Sequence, residues 1–142
     1  MPHALLVDLT ECVGCGACRD ACQQVHHFPQ VESTALDAHN FTTLKTVETK
    51  DGTEVFVRQL CRHCQDPACV SACIVGALEK TRDGAVTWNI NKCIGCRYCM
   101  LACPFDVPKY EWQSNNPKVR KCTMCHQERH LTAEMKTDDK GY

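Results

Sequence analysis

The chain reads as an α+β protein built on a duplicated unit of strand, loop and helix, with hairpins between the copies. Three observations lead there. All 14 cysteines fall into four tight groups. Two of those groups share one spacing and, together with a glycine and an alanine, repeat at a constant offset. Between them lie two Asp-Gly pairs, each flanked by short runs with β-branched residues, the pattern of tight hairpins.

The first copy contains Cys12, Cys15, Cys18 and Cys22, and the second Cys93, Cys96, Cys99 and Cys103. Each predicts a short strand, a tight loop and then a helix. Gly14 and Gly95 fall inside the loops, where a close backbone approach demands a residue without a Cβ. Residues 25–40 show no clear period and read as a loop insertion. Residues 41–49 and 53–60 flank Asp51-Gly52 as a hairpin, and 78–81 and 85–89 flank Asp83-Gly84 in the same way. A third group, Cys61, Cys64, Cys69 and Cys73, carries Pro67 at the first turn of a short helix running to Cys73. The fourth group is Cys122 and Cys125, after which the chain is polar and reads as surface.

Composition narrows the class. Leu, Ile, Val and Phe make up only roughly a fifth of the chain, near the level at which disorder sets in. Something besides aliphatic burial must hold the fold, and metal–thiolate bonds can do so, because metal-binding free energy becomes folding free energy. A net charge of −1 gives no reason to expect nucleic acid. No run of about 18 apolar residues exists to span a membrane. Met1-Pro2-His3-Ala4-Leu5-Leu6-Val7-Asp8 has no basic leader, long apolar stretch or twin arginine, so no secretory signal is expected. The compartment stays open between the cytoplasm and a membrane-associated or periplasmic place reached with an exported partner. A disulfide scaffold would spread its cysteines to staple distant loops; repeated two-residue gaps instead aim several thiolates at one centre.

The run Cys93-x2-Cys96-x2-Cys99-x3-Cys103-Pro104 has the spacing that holds cubane iron–sulfur clusters in bacterial two-cluster ferredoxins. In that arrangement the fourth cysteine of each run serves the other cluster. Applied to the second and third groups of this chain's order, it implies one set of Cys61, Cys64, Cys69 with Cys103, and another of Cys93, Cys96, Cys99 with Cys73. The outer groups then leave Cys12, Cys15 and Cys18 one ligand short, and Cys22, Cys122 and Cys125 one short as well. The fold this resemblance implies is a pair of ferredoxin-like units of the bacterial 2×4Fe-4S type.

The chain resembles the four-cluster iron–sulfur subunits of the molybdopterin oxidoreductases, of the formate dehydrogenase, dimethyl sulfoxide reductase and polysulfide reductase type. The stretches that carry it are 61–69, Lys92-Cys93-Ile94-Gly95-Cys96-Arg97-Tyr98-Cys99, 103–110 and Arg120-Lys121-Cys122-Thr123-Met124-Cys125. The resemblance implies a non-catalytic electron-transfer subunit with at least two and up to four 4Fe-4S clusters. It implies a molybdopterin (Mo or W) catalytic partner, and a membrane cytochrome b or quinone-reactive subunit or a soluble acceptor. It divides the chain into an outer lobe, 1–25 plus 115–142, an inner lobe, 55–112, and an insertion, 26–54. The family has proline after the fourth cysteine of a run, where this chain has Gln23 and Ile74. The family pattern also continues past the fourth group with further cysteines, about where this chain reaches Tyr142. That leaves two expectations open: a shortened chain, or a variant whose outer clusters are three-iron, absent or completed by a partner.

Competing readings remain at this stage. A zinc-bound structural module could use paired two-residue gaps, with Cys122, Cys125 and His126 or His130 as one set. A free-standing polyferredoxin would carry the same clusters. Cys122 to His126 also fits a c-type haem attachment pattern, though the fourth group already accounts for both thiols. His63 reads as a neighbour of a ligand or a surface residue, and His26 and His27 as exposed. Trp88, Tyr98, Tyr110 and Trp112 read as packing. Arg19, Lys92, Arg97, Lys109, Arg120 and Lys121 are either a solvated surface or charges that tune a nearby cluster.

Overall fold

A computed structural model describes residues 4–126. Among them, helix α1 (Ala17–Val25) precedes a hairpin of β1 (Thr43–Glu48) and β2 (Glu54–Gln59). Helix α2 (Ala68–Ser71) leads to the hairpin of β3 (Leu78–Lys80) and β4 (Val86–Trp88). Helix α3 (Tyr98–Ala102) is followed by β5 (Lys109–Tyr110) and β6 (Val119–Arg120). Each strand pair is an antiparallel sheet of its own.

Both Asp-Gly turns form. Thr43 pairs with Gln59 and Glu48 with Glu54, and Gly52 turns the chain at φ 76°. Leu78 pairs with Trp88 and Lys80 with Val86, around Gly84 at φ 96°. The third pair, Lys109 with Arg120 and Tyr110 with Val119, has no sequence signal. Its strands are two residues long and its loop is eight, too little pattern for period-two reading.

Three expectations need correction. No strand precedes the first ligand loop among the described residues. There the Asp8 carboxylate accepts the Thr10 N–H at 2.9 Å and the Thr10 hydroxyl at 2.6 Å, so the backbone is satisfied by a side-chain turn and not by a ladder. His26 is half-buried, its ring 5.4 Å from Phe28 and 5.1 Å from Phe41. The aperiodic loop that follows α1 is thus packed: Gln23, 1% exposed, donates to the Val31 carbonyl, and Thr43 to that of Ser33. Pro67 stands at the N-cap of α2 and not inside its first turn, with φ −83° and ψ 104°. The expected polar tail from 127 onward lies outside the described residues.

Every cysteine group uses the same backbone device. The residue just before the second cysteine has positive φ in all four: Gly14 at 69°, His63 at 46°, Gly95 at 73° and Met124 at 59°. That conformation reverses the loop so that two thiols three residues apart face the same way. Two of the four positions are filled by residues with a Cβ, at an ordinary cost of about 1–3 kcal/mol each.

The apolar core is small and is itself made partly of thiols. Leu78, Cys99 and Val119 form its buried centre, with Cys69, Val70, Cys73, Trp88, Cys93, Met100 and Tyr110 packed around them. Helices α2 and α3 pack on each other, and α2 on β3. Phe56 of β2 lies across the first ligand loop, where a Cβ on Gly14 would stand 2.6 Å from its ring.

Two outcomes follow from this packing. Stripping iron with chelator under oxidising conditions is expected to abolish the cooperative thermal transition and the near-UV circular dichroism; an iron-free chain with an unchanged melting curve would contradict it. Gly95→Ala places a Cβ 2.7 Å from the Pro117 carbonyl oxygen at φ 73°. We expect a loss of about 3 kcal/mol or more in denaturant unfolding of the loaded protein, against a smaller loss for Gly76→Ala, which bears the strain of φ 59° but whose Cβ meets nothing within 4 Å.

Candidate metal centres

The third cysteine group opens with a loop, enters α2 at Cys69 and leaves it at Cys73. The second copy of the repeat does the same with α3, holding Cys99 within the helix and Cys103 at its C-cap. Because α2 and α3 pack together, the last cysteine of each group is carried across to the other. One cavity is lined by Cys61, Cys64, Cys69 and Cys103, with walls that include Val86, Val107 and Pro108. A second is lined by Cys73, Cys93, Cys96 and Cys99, with Leu78, Trp88 and Val119.

Charge behaviour agrees with these groupings. Burial pushes Cys99 up to about 11, and thiolates at Cys73 and Cys93 add to it. Burial also raises Cys69, opposed by the Lys121 ammonium and reinforced by Cys61, Cys103 and Cys64. Outside the two cavities, Cys22 is raised to about 11, first by burial and then by Cys122 and Cys125. Cys22 thus lies within electrostatic reach of Cys122 and Cys125, about a hundred residues further along the chain. Cys12 and Cys15 precede α1 on one loop and Cys18 lies in its first turn, with Cys15 exposed. Mutual repulsion of buried thiolates is what a bound cation relieves, so these sets favour metal over protons only when metal is present.

The loops are pinned by lysines. Lys80 Nζ donates to the His63 carbonyl at 2.8 Å, Lys118 Nζ to that of Cys93 at 2.5 Å, and Lys121 Nζ to that of Cys122 at 2.5 Å. Backbone N–H groups also reach sulfur: Ala77 to Cys73 at 3.2 Å and Met124 to Cys122 at 3.4 Å. His63 is buried, its Nδ1 accepting the Val86 N–H at 2.9 Å and its Nε2 lying 3.5 Å from Cys122 Sγ.

The cationic residues flagged by sequence divide. Lys121 is 1% exposed, which no local pattern announces. Arg97 stacks over Tyr110 and Trp112, Lys109 pairs with Asp106, and Arg19 pairs with Asp20. Lys92 is exposed. His126 turns its Nδ1 to the Asp83 carboxylate at 3.0 Å; His130 lies outside the described residues.

The donors fit a multi-iron cluster. Each cavity offers four soft thiols and apolar walls. Among the described residues no three Cys, His, Asp or Glu side chains converge as they would on one ion. The cysteines of the first three groups, and Cys122, are free thiols and not disulfides.

Thiol-lined cavities on paired loop–helix units define a ferredoxin-like cluster protein. Comparison with known proteins agrees: residues 53–138 and residues 11–77 each match the 4Fe-4S dicluster domain. This chain belongs to the 4Fe-4S dicluster family and carries multiple 4Fe-4S clusters. A protein of Nitratidesulfovibrio vulgaris is 40% identical over 137 residues, covering 87% of this chain and 37% of that one. Hydrogenase-2 operon protein HybA of Escherichia coli O157:H7 is 38% identical over 140 residues, covering 87% and 43%. The formate dehydrogenase-O iron–sulfur subunit of Escherichia coli K12 is 36% identical over 135, covering 86% and 44%. The chain thus spans less than half the length of these curated relatives.

Cys96→Ser is expected to lower bound iron by one cluster, about four atoms, while leaving the cavity around Cys61 loaded. Iron and acid-labile sulfide assays read this directly, and unchanged iron would remove Cys96 from the ligands.

Proposed function

We propose that this chain is the electron-relay subunit of an oxidoreductase complex. Cys61, Cys64, Cys69 and Cys103 would hold one cluster, and Cys73, Cys93, Cys96 and Cys99 a second. Cys22, Cys122 and Cys125 would contribute to a third, and Cys12, Cys15 and Cys18 to a fourth. The observation that carries the reading is the pair of four-thiol cavities joined through the α2–α3 contact. Bound clusters of this kind supply one-electron storage with no bond made to substrate.

The chain's own residues do the rest. The α2–α3 packing keeps the two inner thiol sets at a fixed separation. Val86, Val107 and Pro108 on one side, and Leu78 and Val119 on the other, give the thiol sets apolar walls. Backbone N–H groups and lysines offset part of the negative charge of four thiolates, so that one more electron is tolerated. The inner centres define a lobe of 55–112, and the outer thiols a lobe of 1–25 with 115–142, with 26–54 inserted between them.

The partners we propose are a molybdopterin (Mo or W) catalytic subunit at one end and a membrane cytochrome b, a quinone-reactive subunit or a soluble acceptor at the other. Relatives named as formate dehydrogenase iron–sulfur subunits support this choice. In the assembled complex, Cys96→Ser should abolish turnover linked to the acceptor while substrate binding by the catalytic subunit is retained. Full acceptor-linked turnover in that variant would show that the electrons take another route.

A further inference from the structure

His63 departs from the rule its own position sets. In both copies of the repeat the residue before the second cysteine is glycine, whereas here the left-handed conformation, φ 46°, is held by a histidine. Three hydrogen bonds fasten it: Lys80 Nζ donates to its carbonyl, Val86 N–H to its Nδ1, and its Nε2 faces Cys122 Sγ at 3.5 Å. Since Nδ1 accepts from a backbone N–H, the ring proton sits on Nε2 and is donated to the sulfur. A loop that holds Cys61 and Cys64 thereby reaches a thiol of another set.

Lys121 completes the same junction. Its buried ammonium donates to the carbonyls of Val86 and Cys122, and its side chain lines the cavity of Cys61, Cys64, Cys69 and Cys103. Val86 is thus gripped from both sides, its N–H by His63 and its carbonyl by Lys121. The wall between two thiol sets consists of a hydrogen-bond donor aimed at sulfur and a cation without solvent around it.

We propose that His63 and Lys121 are tuning residues that favour the reduced form of the two centres flanking this wall, those of Cys22, Cys122 and Cys125 and of Cys61, Cys64, Cys69 and Cys103. The inference rests on the ligand assignment given under the proposed function. A donated N–H and a desolvated positive charge both stabilise the extra electron, since hydrogen bonds to sulfur and local charge set the potential of such centres. One electron enters and one leaves; Nε2 and Nζ keep their protons throughout. The centre of Cys73, Cys93, Cys96 and Cys99 lies beyond the reach of both groups' hydrogen bonds, so it is left lower and the row is graded.

The experiment is a dithionite redox titration of the cluster-loaded full chain followed by EPR. Four variants separate the interactions. His63→Asn keeps an acceptor for Val86 and tolerates positive φ, but is too short to reach Cys122. It should shift the one-electron equilibrium of a single centre about tenfold towards oxidised, about 59 mV. His63→Gln, which restores a donor at that reach, should recover most of the shift. Lys121→Met should move two centres in the same direction, one of them the centre moved by His63→Asn, and Lys121→Arg should move neither appreciably. Unmoved potentials at full iron and sulfide content overturn the proposal, as does an equal shift of all centres. Loss of clusters in His63→Asn assigns it a structural role only and also overturns it. If Lys121→Met does not load, the His63 pair decides alone. An unsubstituted chain without acid-labile sulfide would instead defeat the proposed function itself.

Discussion

Buried thiolates repel one another, and the rest of this molecule is arranged around that repulsion. Two sets of four sulfurs line cavities with apolar walls, and at Cys69 and Cys99 burial and neighbouring thiolates both disfavour the charged form. A conventional core would relieve the problem by neutralising the groups. Bound metal would relieve it here, and would tie cluster assembly to folding. The aliphatic core around Leu78 and Val119 is too small to act alone, and it shares its space with the thiols themselves.

Holding several sulfurs at one place demands sharp local backbone geometry. The repeated left-handed residue before each second cysteine supplies it, and the short helices α2 and α3 then carry the last cysteine of a group away from its own loop. Their contact converts two local loops into two shared cavities. The lysines at Lys80, Lys118 and Lys121 finish the arrangement by capping loop carbonyls while adding positive charge near the sulfurs.

Much of this was legible in the residues. The Asp51-Gly52 and Asp83-Gly84 pairs identified both hairpins, because only a few turn types accept positive φ there and those turns match strand twist. The cysteine intervals identified the ligand loops and the family. The β5–β6 pair escaped, being too short for a periodic signal. The strand expected before Cys12 failed because Asp8 offered the backbone a nearer partner. The sequence around His26 reads as surface, yet Phe28 and Phe41 pack against its ring, an outcome that depends on how the loop folds back.

By itself the sequence determined the number and kind of thiols, the turn positions, the class of cofactor and the shortage of aliphatic core. Those properties are local: they depend on intervals of two to four residues and on composition. Only the tertiary structure decided that Lys121 is buried, that His63 bridges to Cys122 and that Cys22 lies within electrostatic reach of Cys122 and Cys125. Each of these joins residues far apart in the chain, and burial and electrostatic contact at such separations are consequences of packing, which no interval along the backbone encodes.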